Sequence, residues 1–345
     1  MSLGSIRAAR FILLGLLAAF GLALPSLKVA ASAATPFPRD ASSITRAAQN
    51  QFESGNYTAA ITTLQSAISQ NSASAETHYW LGRCYYELRD YDSAIREGEK
   101  SVSLDAKNST YHLWLGRAYG GKADRDRSFF TAKKVKTEFA LAVQLDPRNI
   151  VARRDLQQYC MDAPWIAGGS KDEAYSQVNA IAALDLIQGH LARAVYYMEA
   201  MKKADLAENE YRQVLAARPK SADAYLELAE FFVAENKPSD VETSIQGAAQ
   251  VSPSDPRLAF FRGVQRVLSG MDLSHAEEYL KSYIASTPSR SDWPSHAGAR
   301  VWLGKLYEAQ GKRAEAAEQY RAALQLDPER KEARIRLEKL EKSSR

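Results

Sequence analysis

Apolar residues recur along this chain at the three- and four-residue intervals of a helical face. Ala60, Leu64 and Ala67 form one such set, and they share one side of a helix because its period is 3.6 residues. The chain also repeats itself over a longer interval. The segment HYWLGRCYYEL, which starts at His78, is followed 34 residues later by HLWLGRAYGGK, which starts at His112. Self-similarity at a period of about 20 to 50 residues indicates stacked repeats, so we predict an all-α array of helix pairs.

The spacing within these copies resembles the tetratricopeptide repeat. Leu81, Gly82 and Tyr85 stand at the offsets of that family, and a looser copy, VWLGKLYEAQG, starts at Val301. The resemblance implies a right-handed superhelical solenoid of about eight helix-turn-helix units. It also implies that small residues such as Gly82 and Gly116 let paired helices approach closely.

The repeats give approximate unit boundaries. The predicted units are residues 41–74, 75–108, 109–149, 150–187, 188–221, 222–255, 256–296 and 297–330, in a solenoid over 44–330. Residues 331–345 are predicted to form a C-terminal capping helix, because a terminal repeat needs a polar outer surface. The stretches 120–127 and 289–298 interrupt the pattern as insertions.

The N-terminal 33 residues have the pattern of a secretory signal peptide. Arg7 and Arg10 precede an apolar run from Phe11 to Leu24, and Ala31-Ser32-Ala33 is a small-residue cleavage pattern. A polar leader, 34–43, follows. We therefore predict an exported protein, periplasmic or secreted. The apolar run is shorter than the roughly 20 residues of a bilayer span, so no stable span is expected after cleavage; a retained anchor is the alternative.

The net charge of the chain bears on which class of partner is expected. Removal of residues 1–33 takes away Arg7, Arg10 and Lys28 and no acid, which lowers the formal net charge from +4 to +1. A nearly neutral mature chain lacks the basic surface that nucleic acids require, so nucleic acid is not an expected partner.

Motifs for catalysis are absent from the sequence, and neither an enzyme nor a cofactor is predicted. Cys84 and Cys160 lie in apolar helical surroundings and are expected to be buried, unpaired thiols. An alternative is a metal-binding or hydrolytic protein that uses His78 and His112 or the irregular link 161–171. Packing is the favoured role of both histidines, because a zinc site needs further ligands. In the link, the spacing of Ser170 and Glu173 predicts a helix cap.

The first helices of tetratricopeptide solenoids line a concave groove, which is the predicted binding surface. Helical phase relative to Leu81 and Tyr85 turns a second set of residues toward this groove. The predicted peptide-binding residues are Tyr79, Arg83, Tyr86, Leu113, Arg117, Arg154, Gln158, Tyr196 and Glu230.

Arginine forks pair bidentately with carboxylates, and tyrosines add rigid contact area. We therefore predict a non-catalytic scaffold or adaptor of the cell envelope, whose protein or peptide partner presents an acidic segment or a C-terminal carboxylate. The competing interpretation is that the arginines pair with acids of neighbouring helices. Another alternative is a cell-wall- or polysaccharide-associated assembly factor that uses Trp165 and Trp293.

Overall fold

The computed structural model describes residues 39–69 and 74–342. The predicted signal peptide, 1–33, lies outside the described residues, and so does residue range 34–38 of the predicted leader. The described part contains 17 α-helices and one 3-10 turn, and it contains no strand. The prediction of an all-α chain is confirmed. No helix in this part is long and apolar enough to cross a membrane.

The chain divides near residue 207 into two compact units. Unit 1 contains nine helices in the described residues: α1 (Arg39–Glu53), α2 (Tyr57–Ser69), α3 (Ala75–Glu87), α4 (Tyr91–Leu104), α5 (Ser109–Asp126), α6 (Phe129–Leu145), α7 (Ile150–Asp162), α8 (Lys171–Leu184) and α9 (Leu186–Glu199). Helix α10 (Ala204–Ala216) contains the boundary.

Unit 2 continues with α11 (Ala222–Ala234), α12 (Pro238–Val251), α13 (Arg257–Ser269), α14 (Leu273–Ser286), α15 (His296–Ala309), α16 (Arg313–Leu326) and α17 (Lys331–Lys342). The last helix packs against α16, and it buries Ala333 while most of its other side chains remain accessible.

Helices in unit 1 pack on their neighbours along the chain. Each helix contacts the next, and the odd-numbered helices α1, α3, α5, α7 and α9 also contact one another in sequence. Phe52, Leu64 and Leu81 form one core cluster near the start, while Phe139, Tyr159 and Ile181 belong to another. These contacts join segments that are close in sequence, as expected of repeats that touch only their neighbours.

Glycine allows close packing within two of these helix pairs. A Cβ atom added at Gly116 would lie 2.6 Å from ring carbons of Phe139, and one at Gly82 would lie 3.3 Å from the carbonyl oxygen of Ala94. Residues 120–127, predicted as an insertion, lie mostly within α5 and lengthen that helix.

Candidate functional site

Odd-numbered helices of unit 1 form a continuous row, which we call the first-helix face. Its most notable side chain is Arg83 on α3. The guanidinium carbon of Arg83 lies 4.4 Å from the ring centroid of Phe52, 4.7 Å from that of Trp80 and 4.2 Å from that of Trp114. Three helices, α1, α3 and α5, therefore supply an aromatic enclosure for one cation.

Hydrogen bonding leaves Arg83 poorly satisfied. Its Nη1 donates to the hydroxyl of Tyr79 at 3.4 Å, and its Nε is buried without a hydrogen-bond acceptor. In the part of the chain that the structure describes, no carboxylate forms an ion pair with Arg83. A partly buried guanidinium without an acidic partner can accept a carboxylate from outside the molecule.

The other predicted arginines have partners on the next odd-numbered helix. Arg117 donates through Nε and Nη2 to Asp155 at 2.6 and 3.3 Å, in a bidentate pair between α5 and α7. Arg154 Nη1 donates to Gln188 Oε1 at 3.2 Å. The competing interpretation, in which the arginines pair with acids of neighbouring helices, therefore applies to Arg117. It does not apply to Arg83, which remains available for an external carboxylate.

Four of the predicted groove residues are buried: Tyr86, Leu113, Gln158 and Tyr196. Their positions differ from the sequence expectation because neighbouring helices cover that side of each first helix. The ring of Tyr86, for example, packs 5.7 Å from that of Tyr91 on α4. The Gln158 amide nitrogen donates to Glu199 at 2.6 Å. These side chains support the face rather than offering free surface to a ligand.

Two aromatic residues of this face were absent from the predicted set. Tyr111 stacks on Tyr79 with ring centroids 5.2 Å apart, and Trp114 contacts both Arg83 and Arg117. The repeat itself carries the signal that would have found Trp114, because this residue occupies the position of Trp80 in the next copy.

Both repeated histidines connect the two helices of their own pair. His78 Nδ1 lies 2.6 Å from Glu97 Oε2, and His112 Nδ1 lies 2.7 Å from Glu138 Oε2. Burial alone would raise the pKa of Glu97, but hydrogen bonds from His78 and Lys100 outweigh it and lower that pKa. Across residues 39–69 and 74–342, no group of three His, Cys, Asp or Glu side chains is arranged to hold a metal ion.

Two segments of the chain match models of the tetratricopeptide repeat, residues 45–109 and residues 297–330. The chain is a tetratricopeptide repeat protein. Its fold is similar to that of a chain in the APC/C hetero-tetramer Cut9–Hcn1, with a TM-score of 0.50 and 12% identity. That match covers 87% of this chain and 56% of the other, so this chain spans just over half the length of that relative. At such low identity the likeness shows the fold alone.

Two further solved structures are similar. One is a tetratricopeptide repeat protein from Parabacteroides merdae, with 16% identity, a TM-score of 0.46 and coverage of 77% of this chain and 98% of that one. The other is the C-terminal part of a repeat protein from Cytophaga hutchinsonii, with 16% identity, a TM-score of 0.33 and coverage of 84% and 97%. No curated protein matches the sequence.

Tetratricopeptide repeats bind protein partners, so the chain belongs to the functional class of protein-interaction scaffolds. Proteins with this fold are generally non-catalytic. The two thiols agree with this class, because Cys84 and Cys160 are unpaired and buried, as predicted. Burial raises the pKa of each thiol to about 12, which keeps it protonated and unreactive.

Carboxylates collect at the C-terminal ends of first helices in this tetratricopeptide unit. Burial, followed by the charge of Asp162 on α7, raises the pKa of Asp124 on α5 to about 7. Gln158 donates to Asp162 at 2.7 Å as well as to Glu199 on α9. Carboxyl groups of α5, α7 and α9 therefore lie close together at this end of the first-helix face.

Unit 2 has its own ionic cluster at the start of α13. Arg257 is buried and donates through Nη2 to Asp255 at 2.6 Å and to Asp223 on α11 at 2.5 Å. Burial alone would lower the pKa of Arg257, but these acids raise it. The Trp293 ring, from the insertion 289–298, lies 5.5 Å from the Arg257 guanidinium. Glu230, the predicted groove residue on α11, is half-buried.

Proposed function

We propose that this tetratricopeptide protein is a non-catalytic adaptor of the cell envelope that binds a carboxylate-bearing segment of a partner protein through the first-helix face of unit 1. Arg83 is the residue that we assign to the carboxylate. Tyr79, Tyr111 and Trp114 surround it and would contact the neighbouring part of the segment. The class of function follows from the repeat family, and the site and ligand follow from the surroundings of Arg83.

The observation that carries this proposal is the unbalanced environment of Arg83. Aromatic faces attract a guanidinium by about 0.5 to 2 kcal/mol, so Phe52, Trp80 and Trp114 hold the cation in place. Ring faces do not replace hydrogen-bond acceptors, and a guanidinium has several N–H donors in a rigid fork. An incoming carboxylate would supply both acceptors and charge, with little ordering cost because the side chain is already fixed.

Surroundings of the cation favour an acidic peptide over a lone anion. Tyr79 and Tyr111 stack beside Arg83 and present broad, rigid surfaces. Tyrosine, tryptophan and arginine are the residues that contribute most to protein–protein contacts. Farther along the face, Asp124, Asp162 and Glu199 bring carboxyl groups close together. A segment with a carboxylate at one end and a basic or neutral continuation would complement that order.

Placement in the envelope is supported by the N-terminal sequence pattern. Its test is N-terminal sequencing of the protein recovered from fractionated cells. A chain that begins near Ala34 in the envelope or secreted fraction supports export and cleavage. A chain that keeps residues 1–33 and stays with cytosolic proteins refutes this part of the proposal.

Binding to the first-helix face is tested by crosslinking and then by measuring the affinity of the partner. A photoreactive residue at Tyr79 should capture the partner in the producing cell, after which the purified partner is titrated against the mature chain. Arg83→Gln is expected to weaken binding by about 2–5 kcal/mol, which is roughly 30-fold or more, because the partner's carboxylate loses its counter-charge. The matched control is Arg148→Gln, an equal charge change at an exposed residue before α7.

Two versions of the partner identify the carboxylate. Amidation of its C-terminus removes one source, and replacement of its acidic side chains by amides removes the other. One of these two changes in the partner should weaken its binding to the wild-type chain. The same change should not weaken its binding to Arg83→Gln any further. Equal affinity of the Arg83→Gln and wild-type chains for the captured partner would refute the assignment of Arg83.

A further inference from the structure

Unit 1 exposes a second aromatic surface, away from Arg83, where the link between α7 and α8 meets α6. The 3-10 turn Trp165–Ala167 presents its Trp165 side chain 83% exposed and Ile166 54% exposed. Phe130, at the start of α6, is also 83% exposed. Large apolar side chains collected on a protein surface mark interaction sites more often than chance exposure does.

The link is held firmly in this position. The Tyr159 hydroxyl lies within hydrogen-bond distance of two carbonyl oxygens, 2.8 Å from that of Ala132 and 2.7 Å from that of Ala167. From α6, Lys136 Nζ donates to the carbonyl oxygen of Gly168 at 2.8 Å. Side chains of two helices therefore fix the turn that carries Trp165, so its indole is presented by a rigid support.

Two glycines allow this conformation. Gly168 has a φ of 91°, in the left-handed region that disfavours other residues. A Cβ atom at Gly169 would lie 1.8 Å from the carbonyl oxygen of Ala163. The two glycines and the hydrogen bonds therefore favour the same conformation of the link, in which Trp165 and Ile166 are exposed.

A pocket of about 510 Å³ opens between α6 and the link. Its apolar wall comes from Trp165, Ile166 and Ala140, and its polar side comes from Lys133, Lys136 and Thr137. We call this region the α6–link pocket. Its volume is large enough for one or two bulky side chains. Because the pocket is open to solvent, an extended segment could lie across it.

The charge beside the pocket is positive. Lys133 lines the pocket, and its Nζ lies 5.1 Å from the centroid of the Phe129 ring. Lys134 is also exposed, but its Nζ lies 4.9 Å from the centroid of the Tyr119 ring on α5. Within the described residues neither lysine forms an ion pair. Lys136 is paired with Glu173 at 2.6 Å. Residues 129–137, FFTAKKVKT, contain three lysines and no acid.

We infer that the α6–link pocket is a second docking site, which takes an acidic protein segment bearing a bulky apolar side chain. The apolar side chain packs against Trp165 and Ile166, and a flanking carboxylate pairs with Lys133. A concave pocket with cations along one side matches such a segment. A lipid surface is the competing occupant, because exposed apolar groups flanked by lysines also suit a membrane interface; the vesicle measurement below distinguishes the two.

The test is selection of peptides on the mature chain. A displayed random-peptide library is bound to the wild-type chain, and clones that also bind Trp165→Ala are removed. We expect the remaining clones to share an aromatic or aliphatic residue flanked by Asp or Glu. Synthetic forms of these peptides should bind at least tenfold more weakly to Trp165→Ala and to Lys133→Glu. Trp165 is exposed, so its truncation should leave the helical content unchanged.

Matched controls separate this site from other effects. Leu326→Ala removes an exposed apolar side chain in unit 2, and Lys107→Glu reverses an exposed charge in unit 1; both should bind the peptides as the wild type does. Arg83→Gln should also leave this affinity unchanged, which makes the result independent of the first-helix face.

Three results would overturn the inference. One is the absence of clones that depend on Trp165, and another is a selected consensus without acidic residues. The third is binding to phosphatidylglycerol vesicles that Trp165→Ala abolishes while peptides do not compete, because the surface would then serve a membrane.

Discussion

Replacement of Gly116 by alanine should destabilise unit 1, whereas the same change one turn away at Gly120 should not. Both glycines lie in α5, and neither has the positive φ that would make alanine strained. At Gly116 the new Cβ would lie 2.6 Å from two ring carbons of Phe139 and 3.2 Å from Cβ of Glu138. At Gly120 nothing lies within 4 Å.

The magnitude follows from two opposed effects. Alanine favours a helix interior over glycine by about 1 kcal/mol, and both variants receive this gain. Only Gly116→Ala also pushes on a packed core, since Phe139 is 4% exposed and its ring has little room to move. Overpacking of this kind costs about 1–3 kcal/mol. The free energies of unfolding should therefore differ by about 1–3 kcal/mol, with Gly120→Ala the more stable variant.

Urea unfolding of a chain that begins at Ala34, followed by the circular dichroism of its helices, measures this difference. Phe139→Leu provides a further control, because a smaller side chain should reduce the penalty of Gly116→Ala in the double variant. Equal stability of the two alanine variants, or a more stable Gly116→Ala, would show that α5 and α6 are not held together at the distance described.

Two further predictions concern charge. Arg257→Ala should lower the free energy of unfolding by about 3–5 kcal/mol, because the Asp255 and Asp223 carboxylates lose their counter-charge; a loss below about 1 kcal/mol in urea unfolding would contradict this. Asp124→Asn should stabilise the protein at pH 8 by about 1–2 kcal/mol, allowing for solvent screening, and the gain should vanish near pH 4. The sign follows because the folded pKa of Asp124, about 7, exceeds the unfolded value of 3.8, so wild-type stability falls as pH rises between them. A difference in the free energy of unfolding between variant and wild type that is the same at pH 4 and pH 8 would refute the assignment.

Helical periodicity and the copied segments were enough to predict the fold class. Leu81, Phe139 and Leu64 are apolar at helical spacing, and they are buried where two helices meet. The glycine of the repeat also had a predictable role, since Gly116 faces a ring on the paired helix. These features depend on contacts between segments that are close along the chain, which a sequence pattern records directly.

Partners of the predicted groove residues were harder to foresee. Helical phase placed Arg83 and Arg117 alike, yet Arg117 pairs with Asp155, 38 residues later, whereas Arg83 contacts aromatic rings and the Tyr79 hydroxyl. The exposure of Trp165 depends on hydrogen bonds from Tyr159 and Lys136 to the link. Neither outcome is encoded in local periodicity, because both require the positions of side chains from separate helices.

Packing between near neighbours has a consequence for how this protein is made. In the described residues of unit 1, helices pack mainly against elements one or two places away, so a helix pair has most of its partners soon after the next pair has emerged. Local contacts of this kind favour rapid folding and allow it to nucleate in more than one repeat. Folding of unit 1 can therefore proceed from its N-terminal end while the rest of the chain is still being synthesised.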